Sequence, residues 1–125
     1  MHTLEYVAIG MLAPAEKHLL RLQSEICKSL SNAKRLEILH ELRDGEKSVG
    51  ELCTVTGLRQ ANVSQHLAVM RHRKMVLERR SGNTVLYRIA DKRINRACDI
   101  MRDFLIHQAS EDSRLVHLVS ASSRS

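Results

Sequence analysis

Residues Ser48 to Ile89 read SVGELCTVTGLRQANVSQHLAVMRHRKMVLERRSGNTVLYRI, and few folds need that order of parts. Ser48-Val49-Gly50-Glu51 has the form of a capping box, a hydroxyl at the cap and a carboxylate three residues on, each able to satisfy a free N–H at a helix start. The short helix that follows carries Val49, Leu52 and Val55 and ends at Gly57. Glycine there accepts positive φ without a Cβ clash and lets the chain swing sharply into the next helix. From Gln60 to about Arg73, Val63, Leu67 and Met70 recur at i, i+4 and i+7 and are expected to face the core. The opposite face of the first turns is polar or small: Gln60, Ala61, Asn62, Ser64 and Gln65. Val76–Arg80 and Val85–Ile89 are β-prone runs around Ser81-Gly82-Asn83-Thr84, a good hairpin loop, with Val85, Tyr87 and Ile89 inward and Leu86 and Arg88 outward. Two helices across a tight turn, then a basic hairpin, describe a winged helix-turn-helix. In that arrangement the second helix enters the DNA major groove and the hairpin, the wing, reaches along the backbone.

The charge distribution agrees. Between Arg71 and Arg96 nine Lys/Arg stand against two acidic residues, Glu78 and Asp91, a balance of +7. The whole chain is +6, so everything outside that segment sums to −1.

Working outward, Pro14 is well placed to open a helix in its first turn, and Leu19, Leu22, Ile26 and Leu30 recur at helical spacing after it. Ser31 is the expected N-cap of a scaffold helix with Leu36, Leu39 and Leu42 inward and Gly45 as its stop. A final helix is expected from Asp91 to at least Gln108, with Ile94, Cys98, Met101 and Leu105 as its apolar stripe. The fold class is therefore mostly α with a small β-hairpin wing, in the order α-α-α-α-β-β-α. Residues 1–120 are expected to form one domain and 121–125, ending in Ser-rich sequence, a disordered tail. Residues 1–13 carry no clear signal.

With 125 residues and 43% hydrophobic content the chain suits one domain, small enough that part of its apolar surface should find cover in a dimer. A sequence pI near 9.7 points to a polyanion, nucleic acid before membrane surface, since no apolar run approaches the roughly 20 residues of a spanning helix. The short apolar patch at the start has no basic leader before it, which argues against a secretory signal. Cys27, Cys53 and Cys98 are odd in number, widely spaced and form no CxxC, unlike the framework of a small secreted domain; a reducing cytoplasm fits. Tyr6, Tyr87 and Phe104 are the only aromatics, too few for stacking on single strands, so a duplex is the expected partner.

The segments SLSNAKRLEILHELRDGEKSVGEL, RQANVSQHL and RRSGNTVLYRI, occurring in that order, resemble the ArsR-type (arsenic/zinc-responsive, ArsR/SmtB) winged helix-turn-helix transcriptional repressors over roughly residues 28–91. The resemblance implies a homodimer built on the first and last helices, an operator of twofold symmetry, and repression relieved when an effector alters the dimer. On the residues themselves, Gln60, Asn62, Ser64 and Gln65 sit where short polar side chains reach base edges, and glutamine suits bidentate contact with adenine, so Gln65 or Gln60 is the expected base reader. Arg59, Arg71, Arg79 and Arg80 suit phosphates, with Asn83 and Thr84 at the wing tip beside them. His66 matches the histidine of the family's S-x-H-L motif and is either a DNA contact or a packed histidine on the helix flank.

The family's sensing sites match poorly. Where members bind metal between the last helices through D-x-H and H-x-x-E, this chain retains Asp91 but has Arg93, Phe104 and His107 at the other positions. A guanidinium cannot ligate zinc, so that site is expected to be absent and no resident metal or cofactor is assigned. Of the E-L-C-x-C thiolate pair only Cys53 remains, with Val55 for the second; where thiol-sensing members carry a cysteine on the scaffold helix, His40 stands. Cys27, Cys53 and Cys98 are left as candidate sensing thiols, toward oxidation or a soft metal, with ordinary packing as the alternative for each. His2, His18 and His117 are expected at the surface. The competing function is a protein-interaction adaptor, which has no need of the polar front at Gln60–Gln65. An enzyme is disfavoured by the lack of a glycine-rich phosphate loop, nucleophile elbow or carboxylate pair.

Overall fold

Pro14 opens helix α1 (Pro14–Leu30) at a position whose N–H would have no helical partner in any case. The computed structural model describes residues 11–109 and 113–124; the expectations for His2, Tyr6 and the rest of 1–10, and for Ser125, lie outside them. Helix α2 (Ala33–Glu41) is capped by Asn32, whose extended backbone lets its Oδ1 accept the N–H groups of Lys34 (2.9 Å) and Arg35 (3.1 Å). Ser31, the expected cap, instead closes α1: its N–H and hydroxyl both donate to the Lys28 carbonyl. A 3₁₀ turn, Leu42–Asp44, then leads to Gly45 at φ +138°.

Strand β1 (Lys47–Ser48) feeds helix α3 (Val49–Thr56) through the capping box, with both reciprocal bonds between Ser48 and Glu51 formed. Gly57, at φ +74°, makes the left-handed turn into helix α4 (Gln60–His72). Lys74 also takes positive φ, +59°, which folds the chain back so that the Met75 N–H reaches the Met70 carbonyl at 2.8 Å. The wing is β2 (Val76–Ser81) and β3 (Thr84–Ile89), closed by Gly82-Asn83 with Gly82 at φ +63°. β3 is the central strand of an antiparallel sheet ordered β1-β3-β2. Helix α5 (Lys92–Gln108) follows, capped by Asp91, and a further helix α6 (Ser113–Arg124) comes after it. The expected order holds, with β1 and α6 added. β1 was illegible because two residues, Lys47 and Ser48, carry no alternation, and α6 makes residues 121–124 helical rather than a disordered tail.

The core consists of Ile38, Leu39, Leu42, Leu52, Val63, Leu67, Met70, Met75 and Val76, edged by Ile26, Leu30, Val49, Cys53, Leu58, Tyr87, Ile89 and Ile94. On α2, Ile38 takes the inward place expected for Leu36, which is exposed, because the buried row runs through Ile38, Leu39 and Leu42. Val55 likewise faces solvent while Leu52 is fully buried. The stripes of α1 and α5 do not enter this core beyond Ile26, Leu30 and Ile94; α5 buries no residue fully. Two consequences can be measured by urea unfolding. Leu52→Ala should cost about 2–5 kcal/mol through lost contacts and the cavity left behind, whereas Val55→Ala should stay within about 0.5 kcal/mol. Ser48→Ala should cost about 1 kcal/mol by removing the cap acceptor.

Candidate nucleic-acid interface

At 100° per residue, burying Val63, Leu67 and Met70 sets every other side chain of α4. Ala61, Gln65, Ala68 and His72 lie on the side opposite the core. Gln60, Ser64 and Arg71 form one flank, Asn62, His66 and Arg73 the other. Gln60, Ala61, Asn62, Ser64 and Gln65 are all exposed, and no acidic side chain stands in the first turn, so the positive end of the helix dipole faces outward uncompensated. Arg59, at the N-cap, is exposed and makes no side-chain cap bond. The expected polar front is thus assembled on one exposed surface.

The wing is fixed to this helix by a short chain of interactions. Arg71, at the end of α4, donates to Glu78 of β2 at 2.6 Å. Tyr87 on β3 titrates above the usual phenol range because it is partly buried, and because the Glu78 charge and its hydrogen bond oppose ionisation. Arg79 makes a two-pronged pair with Glu46, at 2.6 and 2.7 Å, tying β2 to the segment before β1. Arg71 and Arg79, both expected as free phosphate contacts, are therefore engaged by carboxylates, the first consequence of acidic residues whose partners sequence order does not reveal. Arg80 is exposed with no ion pair among the described residues, and Asn83 and Thr84 are exposed at the tip.

His66 is on the flank rather than the front. It is partly buried, and burial first, then the charges of Arg35 and Lys34, hold its imidazole below the usual histidine range. Sequence reasoning did not single out Lys34 and Arg35, two residues past a cap in the scaffold helix; the only signal was their adjacency to Asn32.

The thiols fall out differently from expectation. Cys53, the residue kept from the family's thiolate pair, packs on the core edge, while Cys27, for which packing is the alternative reading as it is for Cys98, is exposed on α1. Cys98 is partly buried on α5; burial pushes its thiol up, Asp99 adds to this and Arg43 opposes it. It lines a cavity of about 550 Å³ between α2 and α5 together with His40 and the Arg43–Asp99 pair. Asp91 caps α5 through the Arg93 N–H and also pairs with the Arg93 side chain, which lowers its carboxyl to about 2. Among the described residues no group of three or more His, Cys, Asp or Glu is gathered closely enough to hold a metal ion.

Residues 32–76, from the α2 cap to the first residue of the wing, match the family described as "Bacterial regulatory protein, arsR family". The chain is 39% identical to the HTH-type transcriptional regulator KmtR of Mycobacterium tuberculosis over 70 residues, 56% of this chain and 54% of that one. It is 34% identical to the HTH-type transcriptional repressor SmtB of the same organism over 101 residues, 81% of this chain and 72% of that one. It also superposes on the solution structure of a homodimeric winged helix-turn-helix DNA-binding domain from Mycobacterium bovis with TM-score 0.68 and 29% identity, covering 74% of this chain and 86% of that one. Identity at this level over most of a relative's length, on the same fold and through the same helix-turn-helix, makes the chain a member of the ArsR family of bacterial regulatory proteins.

Proposed function

We propose that this protein is a homodimeric transcriptional repressor that binds a twofold-symmetric operator in duplex DNA, in the cytoplasm, and performs no catalysis. The observation that carries this is the exposed front of α4. Five consecutive-turn positions, Gln60, Ala61, Asn62, Ser64 and Gln65, are polar or small and unobstructed, while the helix behind them is locked by three fully buried residues. Small side chains let the backbone approach a groove, and the amides offer donor–acceptor pairs to base edges. An adaptor surface has no need for that combination. Among the described residues no helix is long and apolar enough to cross a membrane.

Gln65, farthest from the core, is assigned the base contact, with Gln60, Asn62 and Ser64 beside it. Arg59, Arg80, Asn83 and Thr84 are assigned to phosphates. Arg71 and Arg79 orient the wing through Glu78 and Glu46. Dimerisation is supported by the apolar side chains left outside the protomer: Leu19 is 57% exposed, Phe104 63% and Leu105 58%. That much exposed apolar surface on two helices marks an interface, and the M. bovis domain of the same fold is homodimeric. A repressor acting on paired half-sites needs its two recognition helices about 34–36 Å apart, a distance the α1 and α5 contacts would set. Control of that distance is assigned to thiol oxidation rather than to a soft metal. Among the described residues no thiol stands in a ligand cluster, and Cys27 and Cys98 lie on the two helices that carry the exposed apolar surface.

Four outcomes test this. Against a duplex selected by the protein from a random pool, Gln65→Ala should lose about 1–3 kcal/mol while binding to random-sequence duplex stays unchanged. Arg80→Ala should lower the salt slope of both, more than Arg79→Ala does; affinity independent of salt in the wild type would favour the adaptor instead. Sedimentation of Phe104→Glu should show monomers with specific binding lost and α4 still folded. Finally, oxidation of wild type with peroxide, two thiols closing to one disulfide, should alter operator binding, and Cys27→Ser or Cys98→Ser should abolish the response. An oxidant-insensitive wild type would return the cysteines to packing.

A further inference from the structure

A helix in the major groove, about 12 Å wide, runs between two phosphate backbones. The flank of α4 that carries Gln60, Ser64 and Arg71 leads to the wing through the Arg71–Glu78 pair. On the other flank α2 packs against α4, and the first turn of α2 brings Lys34 and Arg35 close enough to His66 for their charges to act on it. Five other arginines, Arg43, Arg71, Arg73, Arg79 and Arg93, are each held by a carboxylate. Lys34 and Arg35 have no such partner among the described residues. Lys34 is exposed, and the Nε of Arg35 is enclosed without a hydrogen-bond acceptor. The first turn of α2 contains no acidic residue, so the dipole at this end adds to the same positive potential. Two permanent cations and an imidazole thus gather on one edge of the recognition helix, neither cation in an ion pair among the described residues. An anion arriving there would meet two cations and a helix N-terminus.

We propose that Lys34 and Arg35, with His66 beside them, form a phosphate-binding site that holds the operator backbone on the side of α4 opposite the wing. The site rests on the duplex-binding function proposed above and extends it. The wing and the α2 terminus then clamp the two ridges of one major groove, with Gln65 between them facing the base edges. Contacts of this kind position the helix without reading sequence, so their loss weakens all duplexes alike. A neutral His66 still donates one ring N–H, and it serves here as a backbone contact and not as a base reader.

The test compares the wild-type chain with Lys34→Ala and with the double variant Lys34→Ala/Arg35→Ala. The probes are a duplex selected by the wild type from a random pool and a random-sequence duplex, across a salt series, together with phosphate-ethylation interference on the selected duplex. Each lost contact should lower the slope of log affinity against log salt by about 0.9 on both duplexes. It should also remove one interfering phosphate per half-site, at the edge of the footprint away from the wing phosphates that Arg80→Ala removes. Lys34 is exposed, so Lys34→Ala should fold even where the double variant, which empties the enclosed Arg35 position, does not. An unchanged slope and ethylation pattern in folded Lys34→Ala would overturn the site while leaving duplex binding by the wild type intact. A wild type that fails to bind either duplex would overturn the DNA-binding function itself, and the site with it.

Discussion

The row Val63, Leu67 and Met70, buried against Ile38, Leu39, Leu42, Leu52, Met75 and Val76, is the contact on which the rest of the molecule depends. It anchors α4 from behind, so that the outward face has one rotational setting. A turn of one residue about the helix axis would carry Gln65 away from the front and bring a polar side chain into a core that holds none on this helix. Deleting any of these buried groups costs both transfer free energy and a cavity, which is why such a small set suffices to hold the orientation. The capping box of α3, Gly57 at positive φ and the return at Lys74 then place the neighbouring elements around that fixed helix.

Electrostatics divides the basic residues into two populations. Exposed ion pairs add little net stability, but they hold long side chains in one geometry. Glu78 holds Arg71 and so joins the wing to α4, and Glu46 holds Arg79 and so joins β2 to the segment before β1. Asp99 does the same for Arg43, bridging α5 to the end of α2 beside Cys98. Among the described basic residues without an ion pair are Arg59 before α4, Arg80 on the wing and, on the other flank of α4, Lys34 and Arg35, the cations assigned above to the operator backbone.

The protomer is incomplete in a specific way. Its core is sealed by α2, α3, α4 and the base of the wing, while α1 and α5 contribute little more than Ile26, Leu30 and Ile94 to it. Leu19, Leu20 and Leu22 of α1 and Ile100, Met101, Phe104 and Leu105 of α5 face outward, and a cavity lies between α2 and α5 beside the Arg43–Asp99 pair.

Most of the fold was legible from periodicity and punctuation. The row through Val63, the box at Ser48, the stop at Gly57 and the hairpin around Gly82 are local signals, because capping, helix pitch and turn conformation are decided within a few residues. The polar front of α4 was legible for the same reason: a helix whose buried row is known has a known opposite face. The cap of α2 was misplaced by one residue, since Ser31 and Asn32 both have suitable side chains and only the backbone at Asn32 is extended. What sequence alone could not supply was pairing between distant residues. Glu46 with Arg79, Glu78 with Arg71, and Lys34 beside His66 are separated by many positions and meet only once the helices and strands pack. Local signals along the chain thus set which elements form and which face of α4 is polar. The tertiary structure decided which arginines remain free, which thiol is exposed and which apolar stripes stay uncovered, because charge neutralisation and burial depend on neighbours brought together through space and not along the chain.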